Sequence, residues 1–129
     1  MLDGFDAPDG CIIRLAAVEL HFKSRKLQKQ AESFRDLVRA HGDRRAQLIR
    51  RRLDELDAAS TLADVAKLPG PRCHELVGDL AGILSVDLDH PYRLLFRPLA
   101  DPPPLRTDGG LDWGRVTAIL ILGIEDTHG

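Results

Sequence analysis

Cysteine is scarce in this chain. Its 129 residues include two, Cys11 and Cys73, too few for a disulfide framework. Both are expected to be reduced, with Cys73 in the core or in a strand. No apolar run approaches the ~20 residues that a membrane-spanning helix requires. The longest, around Ala118 to Leu122, has the length of a strand. The opening MLDGFDAPDG places no basic region ahead of an apolar stretch, so no secretory signal is expected. The composition therefore points to a cytoplasmic protein with no membrane contact. Metal-binding patterns are missing too. The five histidines are scattered, and there is no H-E-x-x-H, no cysteine pair and no phosphate-cradling glycine loop. Cys73 and His74 are adjacent and would project to opposite sides of an extended segment. No metal site and no cofactor is expected, and no nucleophile-elbow sequence supports serine hydrolase chemistry.

What is present suits one globular domain: 43% apolar and 29% charged residues. The net charge of −2 hides an asymmetry. From His21 to Leu53 eleven Lys/Arg stand against Glu32, Asp36 and Asp43, a balance of +8, whereas Leu68 to Gly129 holds five Arg and nine acids, a balance of −4. A basic half suits RNA or an acidic protein partner; it also suits the solvated outer faces of amphipathic helices. The overall acidity opposes strong nonspecific nucleic-acid binding, which is mostly phosphate neutralisation.

The first ten residues, rich in Asp, Gly and Pro, read as loop, and residues 1–17 as an extension ahead of a domain spanning 18–129. Val18, Leu20 and Phe22 alternate as in a strand. Ser24 is a candidate N-cap for a helix carrying Leu27, Ala31, Phe34 and Leu37 or Val38, ended by Gly42. Asp43 is expected to cap a second helix to about Ala59, with Ala46, Ile49, Leu53 and Leu56 inward and Arg50, Arg51 and Arg52 mostly outward. The short connection implies an antiparallel helical hairpin. Thr61 begins a helical turn stopped by Pro69 and Pro71. Arg72–Val77 reads as an extended arm or a short strand, and Gly78-Asp79 with Gly82 supplies the turn that follows. Ile83–Leu88 and Tyr92–Arg97 read as strands joined at His90-Pro91. Residues 98–114 form a long Pro/Gly-rich loop, functional or mobile, and Arg115–Glu125 a central strand. The order β-α-α-β-β-β gives an α+β domain, two helices against a small, largely antiparallel sheet. Its core is expected to hold Leu27, Phe34, Ile49, Leu53, Val86, Leu94, Phe96, Ile119 and Ile121.

Metal-free RNA cleavage needs a base for the ribose 2′-hydroxyl, cations for the phosphorane-like transition state, and a proton for the leaving 5′-oxygen. Arginine matches phosphate through its planar fork, and histidine moves protons near neutral pH. Candidates on the expected sheet are Arg72, His74, Tyr92, Arg93, Arg97 and the near-terminal His128. Arg93 is open to a second reading, an ion pair with Asp79, Asp87 or Asp126. His74 can equally be a hydrogen-bonded structural histidine, and His128 part of a tail.

His74, Leu76, Gly78, Asp79 and Gly82, then Tyr92-Arg93-Leu94 with Phe96, and finally Asp126-Thr127-His128 follow one another in a pattern. This pattern resembles the RelE/HigB superfamily of toxin–antitoxin toxins, over about residues 18–128. LDHPYRLLFRP and the DPPP…DGGLDWGRVTAI loop look most like its "killer suppression" branch. The resemblance implies a RelE-like fold and a metal-independent, ribosome-dependent mRNA endonuclease. It assigns Arg93 to the scissile phosphate, His128 and His74 to proton transfer, and Tyr92 to an RNA-facing position. It further implies a helix-turn-helix antitoxin as partner, with Arg44, Arg45 and Arg50–Arg52 meeting ribosomal RNA. Three positions depart from the pattern: Val77 stands where the family has lysine, Leu80 where it has arginine, and Thr127 where it has tyrosine. The alternative is a catalytically degenerate binding module on the same fold, acting in control or suppression of a toxin–antitoxin operon.

Overall fold

The computed structural model describes residues 17–126. Residues 1–16, and with them Cys11, lie outside the described part, as do Thr127 and His128. The chain opens with β1 (Glu19–Phe22), followed by helices α1 (Arg25–Glu32), α2 (Phe34–His41), α3 (Asp43–Ala58) and the short α4 (Leu62–Ala66). Strands β2 (His74–Glu75), β3 (Leu84–Asp87), β4 (Tyr92–Pro98) and β5 (Ala118–Asp126) complete the α+β domain. No helix among the described residues is long and apolar enough to cross a membrane.

The expected first helix is broken in two. Ser33 is extended (φ −135°, ψ 110°), and its hydroxyl accepts from the Asp36 N–H at 3.3 Å, capping α2. Ser24 caps α1 as expected, accepting from the Leu27 N–H at 3.1 Å. The break turns Phe34, the first residue of α2, outward; it is 42% exposed and leaves the expected core. Gly42, in the left-handed region at φ 83°, joins α2 to α3 and takes the cap position expected for Asp43. Such a φ favours glycine, which has no Cβ to clash.

Helix α3 buries Ala46, Ile49, Leu53 and Leu56, one apolar stripe at helical spacing. Arg52, expected to point outward, is instead buried. It lies one position before Leu53, on the flank of that stripe. Its guanidinium donates to the carbonyls of Asp87 (2.7 Å) and Gly70 (3.2 Å) and to Glu55 (2.9 Å). One cation thus ties α3 to the segment before β2 and to the end of β3.

The sheet order is β1-β5-β4-β3-β2. It is mixed rather than wholly antiparallel, because β1 lies parallel to β5 while the other pairs are antiparallel. The chain reaches β5 only after the helices and the meander, which places the first strand beside the last in the same direction. Leu84 and Val86 of β3, Leu94 and Phe96 of β4, and Ile119 and Ile121 of β5 pack with the helical residues in one core. Leu27 packs against that core partly buried. The intervening residues Ser85, Asp87, Arg93, Leu95 and Arg97 therefore project from the opposite face. The long loop before β5 folds into its own bridge, Leu105 with Leu111. It returns Leu111 and Val116 to the core, and the Trp113 indole donates to Glu75 at 3.1 Å.

Candidate functional site

The sheet face away from the helices gathers Arg72, His74, Asp87 and Arg93. Register accounts for most of this. His74 on β2 lies opposite Ser85 of β3, and Asp87 of β3 lies opposite Arg93 of β4. Strand alternation puts all of them on one side. Just before β2, Arg72 adopts φ 48°, a left-handed conformation uncommon for a residue with a side chain. The resulting turn brings the Arg72 carbonyl to the His74 ring, 2.9 Å from Nδ1. A carbonyl only accepts, so Nδ1 carries the proton and the Nε2 lone pair of the neutral ring points away. Arg93 Nη1 approaches that Nε2 at 3.5 Å. This long contact leaves Nε2 available to a better donor.

Asp87 is the counter-ion of the group. Its carboxylate oxygens lie 3.5 Å from Arg93 Nε and 3.6 Å from Arg72 Nε. Oδ1 is buried without a hydrogen-bond partner among the described residues, and at these distances both pairs are loose ionic contacts rather than closed bidentate bonds. The backbone beneath is held firmly: the Asp87 N–H donates to the Pro71 carbonyl at 2.7 Å, and its own carbonyl takes the Arg52 bond. On β5, Glu125 lies opposite Arg93. Around the candidate site two guanidiniums thus face two carboxylates. Phosphate attraction is local, aimed by the two arginines, with little net field behind it.

An open cleft of about 330 Å³ adjoins this group on the same face, with Leu80, Ile83, Leu95 and Leu122 as its apolar lining and Lys23, Glu125 and Asp126 as its charged groups. Val77, where the family pattern has a lysine, is 85% exposed, and Leu80, where it has an arginine, is 37% exposed. Both belong to the turn leading into β3. Arg97 shares the Arg93 face farther along β4, half-buried, and donates to the Pro98 carbonyl at 3.0 Å.

The remaining candidates lie elsewhere. Tyr92 is on the helix side of β4 and packs against the core. Arg45 stacks on it, its guanidinium carbon 3.6 Å from the ring centroid, and also donates through Nε to Asp89 at 2.9 Å. That bond raises the Arg45 pKa and holds the Asp89 carboxyl below the usual carboxylate range. Arg44 and Arg51 are exposed on α3 and form no ion pair among the described residues. His128 lies outside the described residues. No group of residues among those described has the make-up of a metal site.

Asp87 was legible as one of three partners for Arg93. Counting outward from His90-Pro91 would have set Leu88 opposite Arg93; the hairpin is centred on His90 alone, which pairs Leu88 with Tyr92 and Asp87 with Arg93. Arg52 gave no such signal, because it stands in a run of three arginines. Comparison with models of known protein families and with curated proteins finds no match, so the functional reading rests on geometry and on the sequence pattern.

Proposed function

We propose that this chain is the toxin of a type II toxin–antitoxin pair, a metal-independent endonuclease that cuts mRNA in the ribosomal decoding site. One observation carries the reading: His74 presents a lone pair at Nε2, its tautomer held by the Arg72 carbonyl, within 3.5 Å of the Arg93 guanidinium. A base beside a phosphate-directed cation is the minimum for 2′-hydroxyl chemistry. In the reaction His74 Nε2 takes the 2′-hydroxyl proton, and the 2′-oxygen bonds to phosphorus. Arg93, assisted by Arg72, holds the negative charge that develops on the phosphoryl oxygens. The bond from phosphorus to the 5′-oxygen breaks as that oxygen gains a proton, leaving a 2′,3′-cyclic phosphate and a 5′-hydroxyl. His128 is the candidate proton donor. The apolar cleft beside the group takes a base of the message, and the exposed Arg44 and Arg51 meet ribosomal RNA. Such a target places the protein in the cytoplasm, with a helix-turn-helix antitoxin as its partner.

A second reading has its own support. Asp87 lies between the two arginines, and Val77 and Leu80 stand where the family pattern has cations, so charge-assisted contacts to phosphate are lost. On this reading the chain is a noncatalytic module that binds a partner within a toxin–antitoxin operon. Induced expression separates the two. Growth arrest that both Arg93→Ala and His74→Ala relieve, and that co-expression of a neighbouring helix-turn-helix protein suppresses, supports the toxin. Co-purification with that protein, without growth arrest, supports the module.

A further inference from the structure

The β1 strand is too short for its neighbour. It pairs with β5 only as far as Phe22 opposite Ile121, and the last link is the Lys23 N–H donating to the Ile121 carbonyl at 2.9 Å. β5 continues to Asp126, paired on its other side with β4. Because the Ile121 carbonyl points toward β1, the opposite residue Phe96 points away from β5, and the next one, Leu95, points at it. Gly123, opposite Leu95, is therefore turned to β4, and Ile124 is turned outward. The N–H and C=O of Ile124 have no backbone partner on that side among the described residues.

This edge is flanked by a groove. A cleft of about 210 Å³ has an apolar floor of Leu27, Leu122 and Ile124, with His41 at its wall. Through Lys26 and Gln30 it runs into a wider groove of about 630 Å³ carrying Lys29, Asp36 and Arg39. Lys26 and Lys29 form no ion pair among the described residues, and Arg39 makes one loose contact to Asp36 at 3.9 Å. The mouth thus holds three cations against one carboxylate. An unsatisfied strand edge, an apolar seat and a cationic mouth fit one kind of occupant. A nucleic acid would meet the cations, but it has no peptide ladder to offer Ile124.

We propose that this groove takes an extended acidic segment of a partner protein. The segment adds as a short strand to the β5 edge at Ile124. It seats one apolar side chain against Leu27, Leu122 and Ile124, and sets its carboxylates on Lys26, Lys29 and Arg39. Main-chain bonds supply the affinity and the side-chain seats the selectivity, as in other strand-addition modes. The groove contains neither His74 nor Arg93, although it shares Leu122 with the cleft beside them, and the proposal does not depend on RNA cleavage.

The test is fluorescence anisotropy with the full chain and a labelled synthetic peptide of about twelve residues, acidic in one half and alternating Val and Thr in the other. Binding should weaken at least ~10-fold, or ~1.4 kcal/mol, with Lys26→Glu/Lys29→Glu. N-methylation of the peptide along one edge of its strand half should weaken it as much, and methylation along the other edge should not. Lys26 and Lys29 are exposed, so the variant keeps its fold, checked by circular dichroism. The proposal is overturned by no binding at about 1 mM peptide, or by binding indifferent to the charge reversal or to methylation. Displacement of the peptide by a single-stranded RNA of equal charge at lower concentration overturns it in favour of nucleic acid. Self-association of the chain that Lys26→Glu/Lys29→Glu abolishes overturns it in favour of a second copy.

Discussion

Arg52→Met is the substitution with the largest stability cost to be expected outside the apolar core. The Arg52 side chain is 9% exposed and makes three donor bonds: to Glu55 at 2.9 Å, to the Asp87 carbonyl at 2.7 Å and to the Gly70 carbonyl at 3.2 Å. Methionine keeps much of the stem's packing volume, so the loss is chiefly polar. Breaking a buried ion pair costs ~3–5 kcal/mol, but Glu55 remains 27% exposed and recovers part of this from water. Each orphaned carbonyl adds ~1 kcal/mol. A net loss of about 3 kcal/mol follows, or roughly 12 °C in Tm at ~4 °C per kcal/mol for a domain of this size. The assay is urea unfolding followed by circular dichroism, with Arg51→Met as control. Arg51 is exposed and should move stability by less than ~0.5 kcal/mol. Equal effects at the two positions, or a loss below ~0.5 kcal/mol at Arg52, would refute the reasoning.

Two further expectations follow from the titrating groups. The Asp89 carboxyl is held low, first by its bond from Arg45. Its folded pKa therefore lies below the unfolded value of about 3.9, so the native state binds fewer protons. The stabilisation is complete above that value and is lost as pH falls through the folded pKa. Asp89→Asn should flatten this part of the acid-unfolding curve, and an unchanged curve would count against the pair. Burial pushes the Cys73 thiol up to about 12. In a Cys11→Ser background, iodoacetamide at neutral pH should modify Cys73 slowly in the native protein and readily in urea; equal rates would contradict its burial.

Much of the fold was legible because two periodicities were clean. The stripe of Ala46, Ile49, Leu53 and Leu56 announced α3, and Val86, Leu94, Phe96, Ile119 and Ile121 announced the buried sheet face. Alternation also placed Arg93 on the other face. The illegible features came from one local choice of cap and from contacts between residues distant in sequence. Ser33 reads equally as a helix residue or as a cap, and only the cap it forms with Asp36 shows the break that exposes Phe34. Arg52 resembles its neighbours until the Asp87 and Gly70 carbonyls meet it. The parallel pairing of β1 with β5 joins the two ends of the domain and leaves no local mark. At the candidate site, residue types alone suggested His74 and Arg93. The His74 tautomer and the part played by Asp87 needed the turn at Arg72 and the hairpin register.

Cleavage of mRNA on programmed ribosomes tests the central claim most directly. Native chain, His74→Ala and Arg93→Ala are compared at equal folded concentration, and product ends are mapped. The account predicts decoding-site cleavage by the native chain, a 2′,3′-cyclic phosphate end, and a fall of roughly 100-fold or more for each variant. Cleavage that persists unchanged in Arg93→Ala would remove that residue from the mechanism. Absence of cleavage both by the native chain and by Val77→Lys/Thr127→Tyr, which restores a cation and an aromatic of the family pattern, would contradict the endonuclease reading and leave the noncatalytic module.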